Sequence, residues 1–316
     1  MKTVERILPR ITIPSRHAST FIEADAQKVK EVLQKIEEAN LSVTSDFTSM
    51  NQLLTSLGSI PLMTGMLMPG ALVMRTRCEI SSLYETTQRI NSQSDISYRR
   101  DFNNVGIGRV NLAGEPVFYG CVVNHDKKAK NAIPLAAAAC FAETNKDRNA
   151  MRQTMAAGIW RVVKPISFGI MVQQSDLAKA NSFIRQSLLP KYKFFRGDNR
   201  TSVASQLVSN YLADLYSRPV EQGEEHKYVI GACFATSLFL QGLDSIIYSS
   251  VATGGIAPNV AILPEVVDTS LELIKVRAMN MKRMGVASHA EKGAYHCDPS
   301  NKRSFKASEA FSWCPV

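Results

Sequence analysis

The sequence lacks the long apolar run that a membrane-spanning helix requires. No stretch of its 316 residues approaches the roughly 18 uncharged apolar residues that cross a bilayer. The segment at positions 1 to 17, MKTVERILPRITIPSRH, mixes charges and prolines where an export signal would need an apolar centre. We therefore expect a cytoplasmic protein without a membrane anchor.

Cysteine and histidine are sparse and dispersed. The chain has six cysteines without a CxxC pair and five histidines, of which only His296 lies next to a cysteine, Cys297. Several cysteines, including Cys140 and Cys233, occur in apolar runs, which is typical of buried thiols in a reducing compartment. One His-Cys pair does not make a metal site, so we expect neither a disulfide framework nor bound zinc.

The common motifs of nucleotide and hydrolase sites are also missing. The sequence has no P-loop, no HExxH and no GxSxG. The GxG at positions 106 to 108 lacks the third glycine of a dinucleotide-binding turn and is followed by an arginine. The sequence therefore predicts neither a Rossmann domain nor a zinc peptidase nor a serine hydrolase.

The composition is that of an ordinary globular protein with excess positive charge. Hydrophobic residues make up 45% and charged residues 21%, and the formal net charge is +9. The basic residues are spread along the chain, which is typical of a solvated surface with a mild charge excess. A basic surface also attracts nucleic acid, an acidic protein or a phosphorylated small molecule.

The first 90 residues are predicted to form a helical N-terminal extension. Residues 24 to 39 place apolar side chains at helical spacing, with charges on the opposite face. A second helix follows and ends near Gly58. Residues 60 to 73 are apolar and rich in Met, Gly and Pro, which favours a packed crossing segment or hinge over a regular element. We expect this extension to mediate homo-oligomerisation or gating, because its apolar helix faces need a partner.

Residues 91 to 265 are predicted to form the main domain. Short strand-like runs occur at PVFYGCVV, GIWRVVKPISFGIMV, DSIIYSSV and NVAIL. Helical stretches lie between them, at PLAAAACFAETNKDRNAMR, TSVASQLVSNYLADLYSR and KYVIGACFATSLFLQ. Their order has no regular βαβ rhythm, so we expect an irregular α+β sheet. Residues 266 to 316 are predicted to form a helix, SLELIKVRAMNMKRMG, and a polar tail.

A dense polar cluster occupies residues 98 to 121, YRRDFNNVGIGRVNLAGEPVFYGC. The planar guanidinium of arginine offers paired donors to a pyrophosphate, and two arginines about ten residues apart could hold it from both sides. Tyr98 and Tyr119 could stack on a nicotinamide or adenine ring. Alternatively, the arginines are surface charges on a hairpin and the tyrosines belong to the core.

Two segments resemble the RES-domain family. GRVNLAGEPVFYG at 108 to 120 is similar to the family's G-R-x-N-x-x-G-x-P-x-x-Y stretch. GLDSIIYSSVATGGIAPNVAILPE at 242 to 265 is similar to its G-x-D-x-I-x-Y-x-S segment and the following loop. The family's acid-bearing helix would match AAAACFAE, which ends at Glu143, after an inserted loop NHDKKAKNAIP. The resemblance spans residues 98 to 264.

The resemblance implies a fold, an activity and a set of site residues. RES domains are similar in fold to ADP-ribosyltransferases, so we expect an α+β protein with an irregular ADP-ribosyltransferase-like sheet core and a helical N-terminal extension. The family degrades NAD⁺, as a phosphorylase or a glycohydrolase, and its toxins are usually restrained by a helix-turn-helix antitoxin. Carried over to this chain, the catalytic residues are Arg109, Glu143 and Ser250, and the substrate-binding residues are Tyr98, Arg99, Tyr119 and Asn259. Arg100 is an alternative to Arg99, and Ser249 to Ser250.

The implied mechanism needs no metal or cofactor, because the leaving group is already a cationic pyridinium. Cleavage builds positive charge on the ribose, which a carboxylate such as Glu143 stabilises. Arg109 and Arg99 would hold phosphates, either of NAD⁺ or of an attacking inorganic phosphate. Ser250 and Asn259 would orient the nicotinamide or the ribose.

Two other functions fit the same sequence. One is a catalytically inactive basic module that binds nucleic acid or protein, and the other is an ADP-ribosyltransferase that modifies a macromolecule. Convergence of Arg109, Glu143 and Ser250 on one cleft would favour the NAD⁺-degrading enzyme.

Overall fold

The computed structural model describes most of the chain, with gaps. The described residues are 26–39, 46–57, 63–80, 89–123, 136, 139–140, 152–173, 176, 203–221, 223–255, 257–284 and 294–306. Glu143 and the predicted inserted loop lie outside the described residues.

Helices and strands are both abundant in this part of the chain, which confirms the expected α+β class. The α-helices are α1 (Ala26–Glu38), α2 (Asp46–Ser56), α3 (Val203–Ser217), α4 (Val229–Leu240) and α5 (Pro264–Ser270). The strands are β1 (Thr64–Leu67), β2 (Leu72–Ile80), β3 (Phe118–Val123), β4 (Arg152–Val162), β5 (Ile166–Met171), β6 (Ser245–Ser249), β7 (Pro258–Ile262), β8 (Leu271–Met284) and β9 (Ala294–Lys306).

These nine described strands form one mixed sheet. Their order is β1-β5-β6-β7-β3-β2-β4-β8-β9. The neighbours are antiparallel except β5 and β6, which run parallel. A parallel pair requires a crossover connection, and the chain between β5 and β6 contains α3 and α4.

The two faces of the sheet carry different parts of the core. On β6, Ile246 and Tyr248 pack with the buried faces of α1, α2, α3 and α4. Ile247, between them, packs on the opposite face with Phe118 and Trp160. This alternation follows from the two-residue period of a strand. Helix α1 lies against α3, and α2 against α4.

The stretch from 60 to 73 was predicted to be irregular, and that prediction is wrong where the structure describes it. Residues 64 to 67 form β1, and β2 starts at Leu72 and lies between β3 and β4. Four consecutive β2 residues, Val73 to Thr76, are buried, so this part of β2 has no exposed face that would produce an alternating apolar and polar pattern. A boundary at residue 90 would separate β2 from the strands it pairs with.

The helix predicted over SLELIKVRAMNMKRMG is also wrong, because Leu271–Met284 is the strand β8. The register with β4 shifts by one residue between Ile159 and Trp160. The buried positions therefore change phase, from Leu271 and Leu273 to Val276 and Ala278. This bulge hides the two-residue period. Part of the predicted polar tail, Ala294–Lys306, pairs with β8 as β9.

Other predicted elements are confirmed. The predicted helices over 24 to 39, TSVASQLVSNYLADLYSR and KYVIGACFATSLFLQ correspond to α1, α3 and α4. The four strand-like runs overlap β3 to β7, although β4 begins at Arg152, six residues before the predicted run. None of the helices in the described ranges is long and apolar enough to cross a bilayer.

Candidate functional site

The Arg109 side chain packs against the C-terminal end of α3. It lines a cavity of about 400 Å³, which we call the helix cleft. Other residues that line the helix cleft include Glu37, Tyr216, Arg218 and Tyr228. The Arg109 side chain is only 7% exposed. The Nη1 atom donates to the main-chain oxygens of Tyr216 and Arg218, each at 3.0 Å. The guanidinium carbon lies 4.9 Å from the centroid of the Tyr228 ring.

These contacts give Arg109 a structural role. The last carbonyls of a helix have no partner within the helix, and a cation there also complements the helix dipole. Arg109 satisfies two main-chain carbonyls at the end of α3. It is therefore not a solvated hairpin charge, and one terminal nitrogen of its guanidinium already serves the protein.

Tyr119 fixes the turn that precedes β3. Its hydroxyl accepts from the Val110 amide at 3.0 Å and donates to Asn111 Oδ1 at 2.7 Å. A Cβ atom on Gly108 would lie 2.7 Å from the Tyr119 hydroxyl oxygen, so this close approach requires glycine. The G-R-x-N…Y pattern therefore has a local explanation: Gly108, Asn111 and Tyr119 hold together the turn that carries Arg109.

Tyr98, Arg99 and Arg100 line a second cavity of about 680 Å³, which we call the arginine pocket. Two further arginines line it, Arg77 from β2 and Arg89. Both arginines that the sequence offered as alternatives, Arg99 and Arg100, thus reach the same cavity. They follow the 3₁₀ turn Ser94–Ile96 and precede Phe102–Asn104, outside the strands.

Asp268 of α5 holds one side of the arginine pocket. The Tyr98 hydroxyl donates to Asp268 Oδ2 at 2.6 Å, and Arg100 Nη2 donates to Oδ1 at 3.3 Å. The Arg100 guanidinium carbon lies 5.1 Å from the centroid of the Tyr98 ring. Burial, and then the hydrogen bond to Asp268, raise the pKa of Tyr98, so its hydroxyl remains a neutral donor.

Arg77 and Asp95 hold the backbone that leads into Tyr98. Arg77 Nε donates to the Asp95 main-chain oxygen at 3.1 Å, and Nη2 donates to the Ser97 oxygen at 2.8 Å. Asp95 Oδ2 accepts from the amide and hydroxyl of Ser92 at 2.8 and 2.7 Å. The backbone that carries Tyr98 and Arg99 is therefore held in place before any ligand binds.

Ser249, Ser250 and Asn259 lie where β6 ends and β7 begins. Asn259 is paired with Tyr248, and the Ser250 amide donates to the Ala257 oxygen at 3.3 Å. All three predicted side chains are buried. Neither serine hydroxyl has a hydrogen-bond partner among the described residues.

The structure therefore distributes the predicted residues. Among the described lining residues, the helix cleft of Arg109 and the arginine pocket of Arg99 have none in common. Arg99 and Arg109 do not hold one anion from both sides, because Arg109 turns toward α3. Tyr119 and Arg109 both lie near Tyr216. The centroid of the Tyr216 ring is 6.0 Å from that of Tyr248, and Tyr248 pairs with Asn259 across β6 and β7.

The residues that sequence reasoning missed in this region include Arg77, Arg89 and Asp268. The signal for Arg77 was its spacing from Arg75 in LVMRTRCEI, since residues two apart in a strand share a face. The sequence does not predict the contact of Asp268 with Tyr98, because the two residues are 170 positions apart in the chain.

No metal site is evident in the parts of the chain that the structure describes, where no three His, Cys, Asp or Glu residues are grouped. No protein-family model matches the chain, and no curated protein matches it either.

Proposed function

We propose that this protein binds NAD⁺ and releases nicotinamide, by phosphorolysis or hydrolysis. The arginine pocket carries the proposal. Four arginines and two aspartates, Asp95 and Asp101, are among its lining residues, so these side chains bear a net positive charge of two. That charge complements the two negative charges of a dinucleotide's pyrophosphate. The volume of about 680 Å³ also lies within the usual range for cofactor pockets.

The lining arginines suit the pyrophosphate of a dinucleotide, and the exposed ring of Phe102, which is not itself a lining residue, is close to them in sequence. Guanidinium groups donate paired hydrogen bonds to phosphate oxygens and stay charged at any working pH. Phe102 is 56% exposed and lies between Asp101 and Asn104, which line the pocket. Its ring offers a stacking face for a base beside the phosphate-binding arginines.

In the proposed reaction the bond between the ribose C1 and the nicotinamide nitrogen breaks. The nitrogen keeps the bonding electron pair and leaves as neutral nicotinamide, and an oxygen of water or inorganic phosphate bonds to C1. When water is the nucleophile, it releases one proton to the solvent. Glu143 is proposed to stabilise the positive charge on the ribose. Ser250 and Asn259 are buried and are not among the described residues that line the arginine pocket, so their proposed role in orienting the substrate rests on the family resemblance alone. By the same resemblance, we propose that the protein is the toxin of a toxin–antitoxin pair, with a helix-turn-helix antitoxin as its partner.

Nicotinamide release from NAD⁺ tests the proposal. The double variant Arg99→Ala/Arg100→Ala should lower kcat/KM about a hundredfold or more, because two charge-assisted contacts to phosphate are lost. Arg161→Ala is the control, since Arg161 is a half-exposed arginine paired with Glu272 on the sheet. Equal activity of the double variant and wild type, with both folded, would remove the pocket from the reaction.

A basic nucleic-acid-binding module is the second candidate. The exposed ring of Phe102 next to the arginine pocket favours it, because single-stranded nucleic acids bind to basic grooves with stacking aromatic side chains. A fluorescent single-stranded oligonucleotide that binds wild type but not Phe102→Ala, without nicotinamide release, would favour this function over the enzyme.

A further inference from the structure

Arg75 is a buried charge in the middle of the sheet. It lies on β2, between β3 and β4, and is only 4% exposed. Its Nη1 donates to the Tyr119 main-chain oxygen at 2.8 Å, and its guanidinium carbon lies 5.1 Å from the centroid of the Phe118 ring. Its Nε is buried and has no hydrogen-bond partner among the described residues.

The charged neighbours of Arg75 are mainly of its own sign. Arg77 and Arg99, which line the arginine pocket, act on it electrostatically. Burial and then these two cations lower the pKa of Arg75 well below its ordinary value. Within the described residues, no carboxylate forms an ion pair with its guanidinium.

The acids around the arginine pocket already serve other groups. Asp95 accepts from the amides of Asn91 and Ser92 and from the Ser92 hydroxyl. Asp101 accepts from Asn104, and Asp268 from Tyr98 and Arg100. Among the described residues that line the pocket, four arginines therefore outnumber two aspartates.

Burying a cation without a carboxylate partner lowers the free energy of unfolding. For Arg75, the hydrogen bond to the Tyr119 oxygen and the contact with the Phe118 ring offset this loss only in part. An anion in the arginine pocket would supply the missing negative charge. Because the intervening protein has a low dielectric constant, Arg75 would act on that anion without touching it.

We propose that the arginine pocket is a diphosphate-binding site and that Arg75, two residues from Arg77 on the same strand, is a buried charge that strengthens diphosphate binding. This inference rests on the proposed function, whose substrate contains a diphosphate, but binding requires no turnover. Arg75 then has two opposite effects: it destabilises the ligand-free protein and stabilises the complex.

Replacing Arg75 by methionine separates these effects, because methionine has a similar length and no charge. The probe is inorganic pyrophosphate, titrated calorimetrically into the full chain, with sodium chloride of equal ionic strength as the salt control. Arg75→Met should bind pyrophosphate about tenfold or more weakly than wild type. In phosphate-free buffer it should melt at a higher temperature than wild type.

Two further variants complete the test. Arg75→Lys keeps the charge, so it should retain pyrophosphate affinity within a few-fold of wild type. Arg161→Met removes a half-exposed arginine that is paired with Glu272, and it should leave pyrophosphate affinity unchanged. If Arg75→Met does not fold, Arg99→Ala replaces it, and it should also bind pyrophosphate about tenfold more weakly or worse.

Three results would overturn the inference. The first is unchanged pyrophosphate affinity in Arg75→Met, or in Arg99→Ala if Arg75→Met does not fold. The second is a wild-type protein that binds pyrophosphate no better than chloride, and the third is a single-stranded oligonucleotide that binds through Arg99 more tightly than pyrophosphate does. These results can be distinguished from a failure of the proposed function. Arg75-dependent pyrophosphate binding without nicotinamide release would support the diphosphate site and refute the proposed enzymatic activity. Nicotinamide release without pyrophosphate binding would refute only the diphosphate site.

Discussion

Replacing Arg109 by alanine tests whether this residue supports the fold or the chemistry. The substitution removes two hydrogen bonds, each 3.0 Å long, from a cationic donor to the main-chain oxygens of Tyr216 and Arg218. It also removes the guanidinium from the face of the Tyr228 ring and leaves two carbonyls at the end of α3 without that donor.

The expected loss of stability is large. Hydrogen bonds from a charged group contribute about 1.5–3 kcal/mol each, and the buried carbonyls left behind add to the cost. The free energy of unfolding should therefore fall by about 3–5 kcal/mol, and the melting temperature by about 6 °C or more. Arg218→Ala is the matched control at the same helix end. Its ion pairs with Glu37 and Asp214 are partly exposed, so its loss should cost about 1 kcal/mol or less.

Urea unfolding, thermal melts and nicotinamide release should be measured on the same preparations. We expect any loss of activity in Arg109→Ala to follow the fraction of unfolded protein. An Arg109→Ala protein that melts like wild type but has about a hundredfold lower kcat/KM would refute this reasoning. It would restore Arg109 to the catalytic role that the family resemblance implies.

Two further predictions concern the turn before β3 and the arginine pocket. Gly108→Ala should destabilise the protein by about 2 kcal/mol or more, because the new Cβ would collide with the Tyr119 hydroxyl. Gly106→Ala is the control, because a Cβ atom there meets open space. It should lower the free energy of unfolding by urea by about 1 kcal/mol or less. Equal costs at the two positions would contradict the turn geometry. The pKa of Tyr98 is raised in the folded state, so its contribution to stability is fully present below the unfolded tyrosine pKa of about 10 and is lost as pH rises through the folded value. Stability measured by urea unfolding should therefore fall less steeply above about pH 10 in Tyr98→Phe than in wild type, and identical slopes would show that Tyr98 does not contribute.

Much of the fold could be predicted from local patterns. Strands β6 and β7 are short apolar runs bounded by turn residues, and α1 has an apolar face at helical spacing, so each carries its own signal. Strand β2 has buried residues on both faces, and the bulge in β8 shifts its pattern midway. In both strands the partner strands decide the structure, and a single sequence does not reveal partners.

The candidate site, like the fold, could be predicted from the sequence only in part. Tyr98, Arg99 and Arg100 are adjacent in sequence, so their shared location could be predicted. That Arg77 lines the same pocket, and that Tyr98 and Arg100 contact Asp268, depends on how distant elements pack. The sequence around Arg109 indicates a polar turn, but the direction of the Arg109 side chain depends on α3, which lies about a hundred residues further along the chain.

The most direct test of the central claim is the stoichiometry of nicotinamide release by the purified full chain. With and without inorganic phosphate, we measure the nicotinamide formed for each NAD⁺ consumed. We predict one nicotinamide per NAD⁺ in at least one of the two buffers. Intact NAD⁺ in both buffers, with a folded protein, would contradict it.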